Sequence, residues 1–216
     1  MPPYPRRVLC FGDSNTWGYS PGSEARRFAP DIRWPGVLQR ELGDGYDVIE
    51  EAQNGRTTVH DDPMEEICKN GARHLPVVLQ SQAPIDLVIL MLGTNDLKHY
   101  FNQTALSIAH GAGVLVDRIL ASGAGSGPDS SPQVLLVSPP AVAEGPCCFG
   151  PIFEGGPAKS LEFPSAYRAV AEARGIAFLD AAEWATCPVP DTIHLDEAGC
   201  QSLGKGIAAK LRELGW

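Results

Sequence analysis

The chain has 216 residues, 44% of them apolar and 20% charged, an ordinary globular composition that predicts one domain over residues 1–216 with a substantial core. Its formal net charge of −9, from 17 basic and 26 acidic side chains, repels phosphate backbones and argues against nucleic acid as a partner. No apolar run approaches the roughly 18 residues of a membrane span, and Met1-Pro2-Pro3-Tyr4-Pro5-Arg6-Arg7 is followed by too short an apolar stretch for a signal peptide, so a cytoplasmic protein without a membrane partner is expected.

In chain order, the first expected strand is 8–11, and it runs into Gly12-Asp13-Ser14-Asn15-Thr16-Trp17-Gly18. Trp34, Val37, Leu38 and Leu42 then recur near helical spacing. A second strand is expected at 46–51, followed by Asn54-Gly55-Arg56-Thr57-Thr58. A third, 87–92, has no polar alternation, which suits a strand covered on both faces, and it leads into Gly93-Thr94-Asn95-Asp96. Ile108, Val114, Leu115, Ile119 and Leu120 give a helix interrupted by Gly111 and Gly113. Residues 122–132 are a flexible loop. A fourth strand, 134–137, opens a long Pro- and Gly-rich stretch over 138–157, and loops of that length are often functional. A fifth strand, 176–179, precedes Asp191-Thr192-Ile193-His194-Leu195-Asp196. The last helix is expected from about residue 197 to 214, with Asp196 as its N-cap and Glu197 in its first turn. Strands alternating with helices imply parallel pairing through right-handed crossovers. The expected fold class is therefore α/β: a three-layer, doubly wound, five-stranded parallel sheet in the flavodoxin-like order 2-1-3-4-5.

In such sheets ligands bind outside the carboxyl ends of the strands. Ser14 follows the first strand there, with its hydroxyl free to face the crevice and a helix N-terminus favouring developing negative charge. Taken alone, a serine at this place is more often a helix cap than a nucleophile. His194 tips the balance, because a serine nucleophile needs a base and histidine titrates in the right range. Asp191, three residues earlier, lets one short loop present both side chains, the carboxylate holding the ring. Acyl transfer also needs donors for an oxyanion. The backbone N–H groups of Ser14 and Gly55 and the side-chain amide of Asn95 stand at the right strand ends, although Gly-Thr-Asn-Asp is also good turn chemistry. A rival pattern, Gly18-Tyr19-Ser20-Pro21-Gly22, matches G-x-S-x-G. There the residue after the serine must donate its N–H, and Pro21 has none. The six cysteines (Cys10, Cys68, Cys147, Cys148, Cys187, Cys200) form no C-x-x-C pair and have no histidine at metal spacing. Free thiols in a reducing compartment and no metal are expected.

Gly12-Asp13-Ser14, Gly55, Gly93-x-Asn95-Asp96 and Asp191-x-x-His194, in this order over residues 8–196, resemble the SGNH (GDSL) hydrolase superfamily. Met91-Leu92-Gly93-Thr94-Asn95-Asp96, Arg56-Thr57-Thr58 and Ile152-Phe153-Glu154-Gly155-Gly156 resemble bacterial arylesterases of the mycobacterial acyltransferase/perhydrolase type. The resemblance implies a nucleophile in Ser14, a base and its orienter in His194 and Asp191, and an oxyanion hole from Ser14, Gly55 and Asn95. It implies short acyl esters as substrates, water, alcohol or peroxide as acceptors, no cofactor, and a homo-oligomer. The chain departs from that group at Gly55, where alanine after serine is common, and over 143–150. Trp17, Lys98, Tyr100, Phe149 and Phe153 are the candidate pocket wall. Two other readings stay open: a carbohydrate O-acetylesterase with the same machinery, and a flavodoxin-like binding module, against which no G-x-x-x-x-G-K phosphate cradle is present.

Overall fold

The computed structural model describes residues 4–22, 26–145 and 150–216. Five strands, β1 (Arg6–Gly12), β2 (Tyr46–Ala52), β3 (Leu87–Met91), β4 (Gln133–Ser138) and β5 (Ala177–Asp180), form one parallel sheet in the order β2-β1-β3-β4-β5. This is the expected order, with strand ends shifted by one or two residues. The register sets Gly12 beside both Ala52 and Met91, so the chain leaves three adjacent strands at one level. The loops that follow them must therefore meet.

Both faces of the three central strands β1, β3 and β4 are buried, as their apolar runs require, while the edge strand β2 carries Asp47, Glu50 and Glu51 and is only partly covered. Leu9, Phe11, Val88, Leu90, Val134 and Leu136 belong to one core, and Val8, Cys10, Leu87, Ile89, Leu135 and Val137 to the other. This is the period-2 alternation of strand side chains. The second core is closed by α2 (Trp34–Leu42) through Trp34 and Leu38, and by α7 (Glu197–Glu213) through Leu203, Ile207 and Leu211. Asp196 caps α7 by accepting the Gly199 N–H at 2.7 Å.

The first core is closed by three helices. One, α4 (Ala105–Leu120), was expected; it runs unbroken through Gly111 and Gly113 and buries Ile108, Leu115 and Ile119, while Val114 and Leu120 face solvent. The other two, α3 (Gly71–Gln82) and α6 (Phe163–Glu172), are additions to the expected set. Pro76 lies inside α3 and cannot donate to the carbonyl four residues back. That carbonyl, of Ala72, accepts instead from the Arg118 guanidinium on α4. The remaining helices are short: α1 (Ser14–Trp17), directly after β1, and α5 (Gly156–Ser160), in the stretch after β4. Among the described residues no helix is long and apolar enough to cross a membrane. Cys10, Cys187 and Cys200 are buried free thiols and Cys68 an exposed one; Cys147 and Cys148 lie outside the described residues.

Candidate active site

Ser14 is the first residue of α1 and is 4% exposed. Asp13 caps this turn, its carboxylate accepting the Asn15 N–H at 3.0 Å. The helix is only four residues long, so what it offers an anion is local N–H groups rather than a summed dipole. The Ser14 Oγ lies 2.9 Å from His194 Nε2. On the far side of the ring, Nδ1 meets Asp191 Oδ1 at 2.9 Å and Oδ2 at 3.1 Å. Asp191 is itself fixed, because Oδ1 accepts the backbone N–H groups of Ile193 (3.1 Å) and His194 (2.7 Å). Burial alone would raise its pKa, but the hydrogen bond and charge of His194 and these two N–H groups outweigh it and hold the carboxyl below the usual range.

Two residues that sequence reading left aside hold this geometry. The Asn15 amide spans the histidine backbone, with Nδ2 donating to Ile193 O at 3.2 Å and Oδ1 accepting from Leu195 N at 2.9 Å. It ties the turn after β1 to a loop nearly 180 residues later. Tyr19 stacks on the His194 ring at 4.2 Å between centroids, with 27° between planes. Its neighbour Ser20 sits in the turn after α1, with no strand leading into it, so the rival G-x-S-x-G match is a loop.

Ser14, Gly55, Asn95 and His194 line one cavity of about 220 Å³. Gly55 holds φ +82°, a conformation that favours glycine. Beside it, the buried Arg56 side chain reaches across, its Nη1 donating to Gly12 O at 3.0 Å and Glu51 O at 2.7 Å. This anchors the loop after β2 to the ends of β1 and β2. Arg56 O accepts from Asn95 Nδ2 at 3.1 Å, which orients that amide. Asn95 stands in a 3₁₀ turn after β3 whose preceding residue, Gly93, has φ +137°. A Cβ there would lie 2.1 Å from the Tyr167 hydroxyl, which donates to Leu92 O at 2.7 Å.

Of the candidate wall residues, Lys98 and Phe153 line the cavity, together with Tyr19, Asn54, Glu65, Lys69, Ile152 and Ile193. Trp17 and Tyr100 do not. The Trp17 ring lies under the Arg27 guanidinium at 4.9 Å, and the Tyr100 hydroxyl donates to Asp62 at 2.9 and 3.0 Å. Phe149 is outside the described residues. Lys98 is itself paired, 2.6 Å from Asp62. A larger concavity, about 820 Å³, is at the opposite ends of the strands around Tyr4, Arg7 and Asp86. It is lined by no histidine, so size and chemistry part company here and the chemistry decides. No group of three metal-ligating side chains occurs among the described residues.

Behind the site, Asp96 is fully buried and accepts Thr58 N at 3.0 and 3.1 Å and Thr58 Oγ1 at 2.6 Å. Burial pushes its carboxyl up to about 7 against these bonds, and the nearby Asp13 charge adds to the rise. Asp13 is likewise raised by burial to about 6. A carboxyl whose folded pKa exceeds its unfolded value binds its proton more tightly in the native state. Its stabilisation is therefore full below about pH 4 and is lost as pH rises through the folded value. The stability advantage of the wild type over Asp96→Asn, read from melting temperatures, should accordingly shrink between about pH 4 and 7. Parallel curves across that window would remove Asp96 as a proton-linked group.

A family model described as GDSL-like lipase/acylhydrolase matches residues 10–201. The native aryl esterase of M. smegmatis is 46% identical, with a TM-score of 0.91 over 97% of this chain and 99% of that one. A carbohydrate acetylesterase from Sinorhizobium meliloti is 42% identical, also with a TM-score of 0.91, over 97% of this chain and 99% of the other. An arylesterase described as putative, from Agrobacterium tumefaciens, is 36% identical with a TM-score of 0.87, over 96% of this chain and 99% of that one. The curated proteins hold no significant match. With the family model covering most of the chain and full-length relatives above 40% identity, the chain belongs to the GDSL-like lipase/acylhydrolase family.

Proposed function

We propose that this acylhydrolase is a serine esterase of short-chain acyl esters that also passes the acyl group to alcohols or peroxide. The observation that carries the reading is the continuous chain from Ser14 Oγ through the His194 ring to Asp191, with contacts of 2.9 Å on both sides of the ring. In the proposed mechanism His194 Nε2 takes the Ser14 proton as Oγ attacks the ester carbonyl. The resulting oxyanion is held by the Ser14 N–H, the Gly55 N–H and the Asn95 amide hydrogen not engaged by Arg56. Collapse breaks the bond to the alkoxy or aryloxy group, which leaves with the proton from His194. Water, an alcohol or peroxide then attacks the acyl-enzyme, losing its proton to His194, which passes it to Ser14 Oγ as the acyl–Oγ bond breaks. A cavity of about 220 Å³ favours small acyl groups. None of these steps calls on a cofactor.

Asn95→Ala should lower kcat by roughly 10²–10³ with KM little changed, since its amide meets charge that develops only in the transition state. A change confined to KM would make Asn95 a binding residue. The function itself is tested by a panel of p-nitrophenyl esters from acetate to laurate, with and without added alcohol. Turnover should be highest on the shortest esters, and transfer should appear as an alkyl ester product. A preference for laurate, or release of free acid alone, would overturn the respective half of the reading.

A carbohydrate O-acetylesterase is the second reading. It is favoured by the Sinorhizobium meliloti neighbour and by the polar side of the cavity, where Asn54, Glu65, Lys69 and Lys98 could meet a hydroxyl-rich leaving group. Faster turnover of acetylated sugars than of aryl acetates would select it. We also propose a homo-oligomer. Met64 and Ile67, strongly exposed apolar residues, flank the cavity residue Glu65, and light scattering would reveal a monomer if they stay uncovered.

A further inference from the structure

The peptide unit between Asn54 and Gly55 has two ends. Its N–H is the oxyanion donor of the proposed mechanism, and its C=O points the opposite way, as planarity and the trans geometry demand. That carbonyl accepts a hydrogen bond from Lys69 Nζ at 2.9 Å. The Lys69 side chain is 12% exposed and lies against the same cavity as Ser14. We propose that Lys69 is a positioning residue of the oxyanion hole, which locks and polarises the Asn54–Gly55 peptide so that the Gly55 N–H is presented to the developing charge. The proposal rests on the reading of Gly55 as an oxyanion donor.

The local geometry shows why such a lock is useful. Arg56 N donates to Gln53 O at 3.1 Å, closing a four-residue turn with Gly55 third at φ +82°, the signature of a type II turn. Glycine is equally stable at negative φ, and the type I alternative differs mainly by a flip of the central peptide. That flip would turn the Gly55 N–H away from the cavity and the Asn54 carbonyl toward it, placing a lone pair where an oxyanion must form. The ammonium on Asn54 O opposes the flip. It also draws electron density through the amide, and hydrogen bonds in series strengthen one another in a low-dielectric site. Lys69 is placed for this by its own backbone: Thr57 N donates to Lys69 O at 2.9 Å, and Gln53 Nε2 to Cys68 O at 3.0 Å. The segment around 68–70 thus braces both ends of the turn. Glu65, 3.5 Å from Nζ, keeps the charge on this side of the cavity.

The test is Lys69→Met, which keeps the stem and removes the charged donor, beside Lys69→Arg and Asn95→Ala, on p-nitrophenyl acetate. For Lys69→Met, kcat should fall about tenfold, below the roughly 10²–10³ for losing a donor outright, with KM within about twofold. Affinity for phenylboronic acid, which forms a tetrahedral adduct on serine, should fall in step with kcat/KM. Lys69→Arg should recover most of kcat. Should Lys69→Met not fold, Lys69→Gln carries the same prediction. An unchanged kcat, or a rise in KM alone, overturns the role of Lys69. If Asn95→Ala shows its loss in the same assay, the oxyanion hole survives that failure; if Asn95→Ala is also unaffected in kcat, the hole and the role of Lys69 fall together.

Discussion

Ser14→Ala should reduce kcat on p-nitrophenyl acetate on the order of 10⁶-fold, leaving only what binding and oxyanion donors give without a nucleophile. The size of the effect follows from the chemistry: without Oγ no acyl-enzyme forms, and the two-step path collapses to direct attack by water. The fold should be indifferent. The Ser14 hydroxyl bonds to His194 Nε2, while the turn itself is held by the Asp13 cap, the Asn15 amide and Gly18 N–H on Ser14 O, all of which the variant keeps. Loss of one such hydrogen bond costs about 1 kcal/mol, a shift in Tm of a few degrees at most. The wild type should be labelled by a fluorophosphonate probe and the variant should not. Near-normal turnover by a folded Ser14→Ala protein would end the serine mechanism.

The sheet was legible because its central strands are short apolar runs, and an order of 2-1-3-4-5 brings the strand ends carrying Ser14, Gly55 and Asn95 together. His194 was legible through its neighbour Asp191, three residues away. What escaped is what depends on distant partners. Asn15 reads as a polar residue in a turn until its amide is seen clasping Ile193 and Leu195. Arg56 and Lys69 both reach backbone carbonyls, Arg56 at the end of β1 and Lys69 on Asn54. Such donors have no spacing signature, since any long side chain can find a carbonyl. The Trp17 and Tyr100 assignments failed for a related reason. Sequence places an aromatic near a site but not its direction, and each ring turned to a charged partner of its own, Arg27 or Asp62. Helix α6 carries Phe163, Tyr167, Val170 and Ala171 on one buried face, a readable period. In α3 the stripe Ala72, Leu75 and Leu79 was obscured by Pro76, because the compensating Arg118 is far along the chain.

Asp191→Asn should cost roughly 10⁴-fold in kcat with little change in KM, although it alters one atom. The direction of the hydrogen bonds around Asp191 decides the effect. Oδ1 of Asp191 accepts two backbone N–H groups as well as His194 Nδ1. An asparagine keeps those backbone bonds only by placing its carbonyl oxygen there. Its NH₂ then occupies the Oδ2 position, 3.1 Å from Nδ1, and opposes the Nδ1–H that also faces the carbonyl oxygen at 2.9 Å; donation from the NH₂ to Nδ1 relieves that clash. Nδ1 becomes an acceptor, and the neutral histidine carries its proton on Nε2, facing Ser14 with an N–H where a base needs a lone pair. Flipping the amide restores the tautomer but sets an NH₂ against two N–H donors in a site where Asp191 is 6% exposed, at a cost of about 1–3 kcal/mol per unsatisfied group. That cost disfavours the flipped form, so in the favoured orientation the base is lost while the substrate cavity is untouched, and kcat should fall while KM holds. Asp191→Glu cannot serve as a rescue, since the longer stem displaces both backbone contacts. A kcat within tenfold of wild type for a folded Asp191→Asn would show that His194 keeps its working tautomer without the carboxylate, and the orienting role would pass from Asp191 to the Asn15 clamp and the Tyr19 stack.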